Sequence, residues 1–226
     1  AQTGTIAIGH QSLSALTSGG SNIAIGYQAM LEHTTGAKNI AIGEGAMNDT
    51  GANDCPTSTD NIFVGYDAGG GTWTTNDCNY NVGIGNYAMD GAMNGALRNT
   101  GVGYEALSAL TEGDDNVTIG TYAGNEITTG YSNTLVGAYA GTEAINLSTG
   151  YKNTLLGTYA DTSATGSINQ TAIGYNATGV ANNSVTLGDA DVTAVYMAED
   201  SGAVVYCSGV NFPDDAEAGV ADVNTL

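Results

Sequence analysis

The side chains able to carry out chemistry in this chain form a short list. Of its 226 residues, two are His and three are Cys. His10 and His33 lie far apart, and neither sits in a Ser-His-Asp pattern or near a Gly-x-Ser-x-Gly elbow that would activate a nucleophile. No Gly-Lys-Ser/Thr follows the Gly-rich stretches, so a phosphate-cradling loop is missing. Asp114-Asp115 and Asp214-Asp215 read as solvated turns in preference to calcium ligands. Asn-x-Ser/Thr triplets at Asn48, Asn116 and Asn169 are expected by chance in so Asn- and Thr-rich a sequence. No cofactor, metal site or enzymatic activity is expected.

Two other groups are candidates. Cys55 lies twelve residues after Gly43 and Cys78 thirteen after Gly65, near-equivalent points of successive repeats. Stacked repeats would bring their β-carbons to disulfide range, as suits an extracellular protein; the alternative is two unpaired thiols, since ligands for zinc are lacking. Cys207 is left over as a small buried residue. Trp73, the only Trp, and Tyr80 fall in one insertion and are the candidate receptor-binding residues, because exposed loop aromatics suit sugar or protein contact. The alternative is a staple that packs the loop onto its repeat.

These residues must be positioned by a repeat that runs from Thr5 to Ala190. Asn22-Ile-Ala-Ile-Gly26 recurs, with variation, eleven times, and its glycines are spaced 17, 17, 22, 20, 18, 17, 17, 20, 17 and 14 residues apart. So short a unit cannot bury a core alone, so the copies must stack. The expected fold is an all-β parallel solenoid (β-roll) of about eleven coils over residues 1–190, followed by a β-rich extension or stem over 191–226. We number each coil from its Asn as position zero. Positions one and three are β-branched or aliphatic and alternate as a strand does, which points them to the coil interior. Position two is never charged, so the opposite face is expected to meet neighbouring subunits. Asn22, Asn39, Asn61, Asn81, Asn99, Asn116, Asn133 and Asn153 form either a hydrogen-bonded ladder or a column of turn residues. Tyr122, Tyr139 and Tyr159, all at position six, should stack. Lys38 should face Asp60, and Arg98 should face Asp115. The stretch after each strand is a second strand or a helical turn.

Composition narrows the partners. Asp and Glu outnumber Lys and Arg by 23 to 3, a formal charge of −20, which repels nucleic acid and anionic membranes. No run of 18 apolar residues occurs, so no membrane insertion is expected. The opening Ala-Gln-Thr-Gly reads as a processed or partial product.

Asn22-Ile-Ala-Ile-Gly26 and Asn183-Ser-Val-Thr-Leu-Gly188 resemble the Asn-Ser-Val-Ala-Ile-Gly repeat of trimeric autotransporter adhesin heads. The longer form, Asn-x-Ala-Ile-Gly-Tyr-x-Ala-Leu with a Thr-x-Gly turn, is similar to the repeat of phage tail fibres. The resemblance implies a left-handed roll, a parallel homotrimer, and attachment to a host cell-surface glycan or protein alongside other fibre or virion proteins. It places the chain in a virion tail fibre or at a cell surface. Adhesin-head coils are shorter, and only the last spacing here, 14 residues, approaches them. The tail from Asp191 to Leu226 is also similar to a fibre ending, which would make Leu226 a self-cleavage end. A bacterial adhesin head or extracellular filament is the nearest alternative, and a glycan-cleaving tailspike is the alternative from another class.

Overall fold

The computed structural model describes residues 3–50 and 57–195. Its contacts divide the chain into two units, Ala1–Val192 and Thr193–Leu226. The expected extension over 191–226, Leu226 included, falls almost wholly outside the described residues, as do Cys55 and Cys207.

Eleven short strands, from β1 (Ile6–Ile8) to β11 (Ser184–Leu187), form one sheet in sequence order, and every neighbouring pair is parallel. The pairing aligns equivalent positions: Ile23 with Ile40, Ala24 with Ala41, Ile25 with Ile42. Among the described residues there is no helix. The first unit is therefore a β-solenoid with one strand per coil.

The strand faces are the reverse of the expected arrangement. Position two is buried, at Ala24, Ala41, Phe63, Leu135, Leu155 and Ala172. Positions one and three point outward; Ile84 and Ile119 keep 41% and 43% of their surface. The reason lies in the volume of the coil interior. Position eight also points inside, and it complements position two within the same coil. Ala24, Ala41, Gly83 and Gly101 are matched with Met30, Met47, Met89 and Leu107, whereas Phe63, Thr118 and Leu135 are matched with Gly69, Gly124 and Gly141. A β-carbon at Gly69 would stand 2.7 Å from the Phe63 ring, and one at Gly141 would stand 2.5 Å from Leu135 Cδ2. In these seven coils the narrow interior holds no more than one large side chain of the pair, as close packing demands; in the Asn153 coil Leu155 shares it with buried Asp161. Two β-branched residues pointing inward from every strand would overfill it.

After the strand the chain forms neither a second strand nor a helix. It turns through left-handed residues at positions six and eight, such as Gln28 and Met30 (φ 57° and 53°) or Glu105 and Leu107 (φ 52° and 56°). This alternation sends successive N–H groups to opposite neighbours. The position-six N–H bonds the preceding coil (Glu105 to Asn86 O, 3.0 Å), and the position-eight N–H bonds the following one (Leu107 to Ala123 O, 3.2 Å). The strand-ending glycine has a different cause. A β-carbon at Gly103 would lie 2.2 Å from Gly120 O of the next coil, and the backbone there is at φ 143°. No other residue lets the carbonyls stack.

Candidate functional site

The zero-position asparagines form a continuous buried ladder. Asn99 Oδ1 accepts from both the backbone N–H and the Nδ2 of Asn116, each at 3.0 Å. Asn116 Nδ2 also donates to Gly130 O across the coil at 2.8 Å. The same pattern runs from Asn22 through Asn39, Asn61, Asn81, Asn99, Asn116 and Asn133 to Asn153, whose Oδ1 accepts from Gln170 N. Only a short carboxamide both accepts twice and donates twice here, which accounts for the residue type. His33 joins the ladder from the side. Its Nε2 lies 3.2 Å from Asn39 Nδ2, and its Nδ1 lies 3.0 Å from Thr50 Oγ1. Burial holds its pKa below the usual value, consistent with a neutral ring.

Outside the coil lies the sheet face built from positions one and three. It carries no charged residue in any of the eleven coils, although the chain as a whole is strongly acidic. Exposed Ile6, Ile8, Ile42, Ile84, Ile119, Val136, Leu156 and Ile173 run along it.

Beside this face stands an aromatic ladder longer than the three tyrosines expected at position six. Tyr66, Tyr87, Tyr104, Tyr122, Tyr139, Tyr159 and Tyr175 are in successive contact, with centroids 5.1–5.9 Å apart. The sequence conceals its length because the ring shifts between positions five and six. At its middle, Tyr87, Asp90, Tyr104, Glu105, Asn125 and Glu126 line an open groove of about 510 Å³. Desolvation, reinforced by Glu105 and Asp67, pushes the Asp90 carboxyl up to about 6. A hydrogen bond to Glu105 pushes the Tyr104 hydroxyl up to about 12. These acids occupy positions six, nine and ten of different coils, so no single column of the repeat reveals them.

The candidates named from the sequence are not brought together. Trp73 is 0% exposed and packs edge-on against Phe63 at 5.8 Å, inside the coil. The insertion that carries it folds inward because a longer coil has interior to fill, so Trp73 is the staple and is withdrawn as a surface contact. Tyr80 is 58% exposed, in a left-handed turn (φ 62°) just before Asn81. Cys78 is buried, and its carbonyl accepts from Asn61 Nδ2; the proposed partner Cys55 lies outside the described residues. Lys38 faces Asp60 at 3.7 Å, and Arg98 binds Asp115 through two hydrogen bonds of 2.6 and 3.0 Å. Among the described residues, no group of three His, Cys, Asp or Glu side chains is placed to hold a metal ion. Among the described residues, no helix is long and apolar enough to cross a membrane.

No protein-family model matches the chain, and no curated protein or solved structure matches it either.

Proposed function

We propose that the chain is a non-enzymatic structural and adhesive segment of a phage tail fibre, used in host attachment as a parallel homotrimer. The observation that supports it is the outward sheet face. Two aliphatic or small neutral positions per coil, uncharged along the whole solenoid, are what self-association of a strongly acidic chain requires. The tail-fibre context and the attachment role rest on the repeat's resemblance, and they place the chain in the virion with a host surface glycan or protein as target. An adhesin head on a bacterial surface would use the same face in the same way.

Native mass measurement of the full chain tests the assembly. Three copies are expected, and Ile84→Asp with Ile119→Asp should give monomers, because each aspartate is desolvated without a partner. A monomeric wild type, or a double variant that still assembles, refutes the face. Adsorption of the purified protein to host cells tests attachment; absence of binding to any susceptible cell counts against it. A glycan-cleaving activity is the second reading, favoured by the mutual influence of Asp90, Glu105 and Asp67. Release of reducing sugars from host envelope glycans distinguishes it.

A further inference from the structure

We infer that copies of the chain meet in parallel and in register along the outward sheet face, so that the border carrying the cations of one copy lies against the tyrosine border of the next. The inference rests on the self-association proposed above and names the contacts that would join the copies.

The face has two borders, one on each side of positions one and three. The first is the residue before each ladder position, which stands in a left-handed turn in all ten coils from Ser21 to Asn183. It holds every Lys and Arg of the chain, namely Lys38, Arg98 and Lys152. Asp60 and Asp115 are its acids, so this border carries a formal charge of +1 in a chain of −20. The second border, positions five and six, has no Lys or Arg. It holds the tyrosine ladder together with Glu44, Asp67, Glu105 and Asp189, a formal charge of −4. An uncharged aliphatic centre flanked by tyrosines and charges is the composition of a protein–protein contact. The cations keep the exposure that such a contact needs. The Lys38 side chain is 68% exposed with Asp60 at 3.7 Å, and Arg98 is 48% exposed although it binds Asp115.

Symmetry decides between the ways in which copies can meet. A closed rotation axis parallel to the solenoid carries no translation, so each coil meets the same coil of the next copy. It also sets the first border of one copy against the second border of its neighbour. Lys38 then faces Glu44, Arg98 faces Glu105, and Lys152 faces the ring of Tyr159. Asp60 meets Asp67, but Asp60 already has Lys38 of its own chain beside it. A two-fold axis across the solenoid instead sets each border against its own kind, so the acidic border would meet itself. Charge complementarity therefore favours the parallel arrangement.

Thiols placed on the two borders provide the test. In the full chain, Arg98→Cys with Glu105→Cys puts one thiol on each border of a single coil. Strand Thr100–Val102 and its flanks hold the two roughly 15–20 Å apart within one chain, at about 3.3 Å per residue. A short bismaleimide therefore links them only between copies. Covalently joined chains are expected on a denaturing gel from the double variant, with only background from either single variant or from wild type, whose native cysteines are the control. In native mass measurements over a dilution series, Arg98→Glu should weaken assembly about tenfold, and adding Glu105→Arg should recover most of that loss. The added arginine cannot restore the bond to Asp115, so recovery reports the contact between copies. Arg98 lies in the sixth of eleven coils, where antiparallel copies would meet themselves. Cross-linking by Arg98→Cys alone would thus mark an antiparallel pair and overturn the inference. An oligomer that the double variant fails to cross-link would also overturn it, while leaving self-association intact. A monomeric wild type removes the self-association reading itself, and this seam with it.

Discussion

Tyr104 and Tyr122 meet edge to face, with centroids 5.3 Å apart and planes at 74°, whereas Tyr122 and Tyr139 lie nearly parallel at 23°. Coil position explains the difference. Tyr104 stands at position five and Tyr122 at six, but Tyr122 and Tyr139 share position six. The rule holds across the described tyrosine and histidine ring pairs. His10–Tyr27, Tyr131–Tyr151 and Tyr139–Tyr159, each at shared positions, are parallel within 30°. Tyr66–Tyr87, Tyr87–Tyr104 and Tyr159–Tyr175, each shifted by one, lie at 72–82°. Tyr122→Leu removes two ring contacts and should cost about 1–3 kcal/mol, at 0.5–1.5 per aromatic pair. Denaturant unfolding measures it, and near-UV circular dichroism should lose intensity in parallel.

Removing one rung of the asparagine ladder strands several buried groups together. Asn116→Ala leaves Gly130 O and the Asn133 N–H without their bonds and takes one of the two donors from Asn99 Oδ1. At about 1–3 kcal/mol per unsatisfied buried group, the loss should be several kcal/mol. Asn116→Asp should be no better, because a carboxylate cannot donate to Gly130 O. A midpoint shift no larger than that of an exposed substitution such as Glu126→Gln would show that the ladder contributes little.

Gly103→Ala puts a methyl 2.2 Å from a backbone oxygen that cannot move without breaking the neighbouring coil. The variant should unfold at markedly lower temperature or accumulate as insoluble protein. Gly95→Ala, whose added carbon meets only the Asn76 side chain at 3.2 Å, should lose less. Equal melting temperatures for the two would contradict the stacking argument.

His33 should make the solenoid acid-sensitive. Burial lowers its folded-state pKa below 6.5, so the unfolded chain takes up a proton first as pH falls. Its contribution is therefore full above about pH 6.5 and is lost on acidification below that value. Stability measured from pH 7.5 to 5 should decline more steeply for wild type than for His33→Gln.

Asp90 acts with the opposite sign. Its folded carboxyl titrates at about 6 against 3.8 when unperturbed, so the folded state holds the proton longer and stability falls as pH rises through that interval. Asp90→Asn should stabilise the chain at pH 7 by about 1 kcal/mol, a figure reduced for the group's partial exposure. The gain should vanish near pH 4.

Much of the fold was legible because stacking imposes identity at fixed intervals. The strand register, the column of asparagines and the pairing of Arg98 with Asp115 all follow from counting residues. The direction of the strand faces did not follow, because positions one, two and three are all uncharged and hydropathy alone cannot orient them. The deciding signal was present as a trade in volume between positions two and eight: Phe63 with Gly69, Ala41 with Met47. The groove was hidden for a different reason. Asp90, Glu105 and Glu126 share no coil position. Trp73 was misplaced because an insertion was read as a surface loop, although its added length also enlarges the interior.

The exchange of volume between positions two and eight runs mainly within a coil, with a large side chain also leaning over the next one, as Phe63 does over Gly83, while every coil offers its neighbours the same carbonyls, amides and glycine. A coil is thus an interchangeable link. Deleting Thr100–Asn116 in one piece would join Asn99 directly to Val117, and the rung pattern would continue without a seam. Lengthening or shortening by whole links leaves each remaining contact type intact, whereas loss of a few residues from one link spoils two interfaces. Unequal recombination between copies would therefore yield folded variants of different reach, and length in such a chain is free to drift in whole coils.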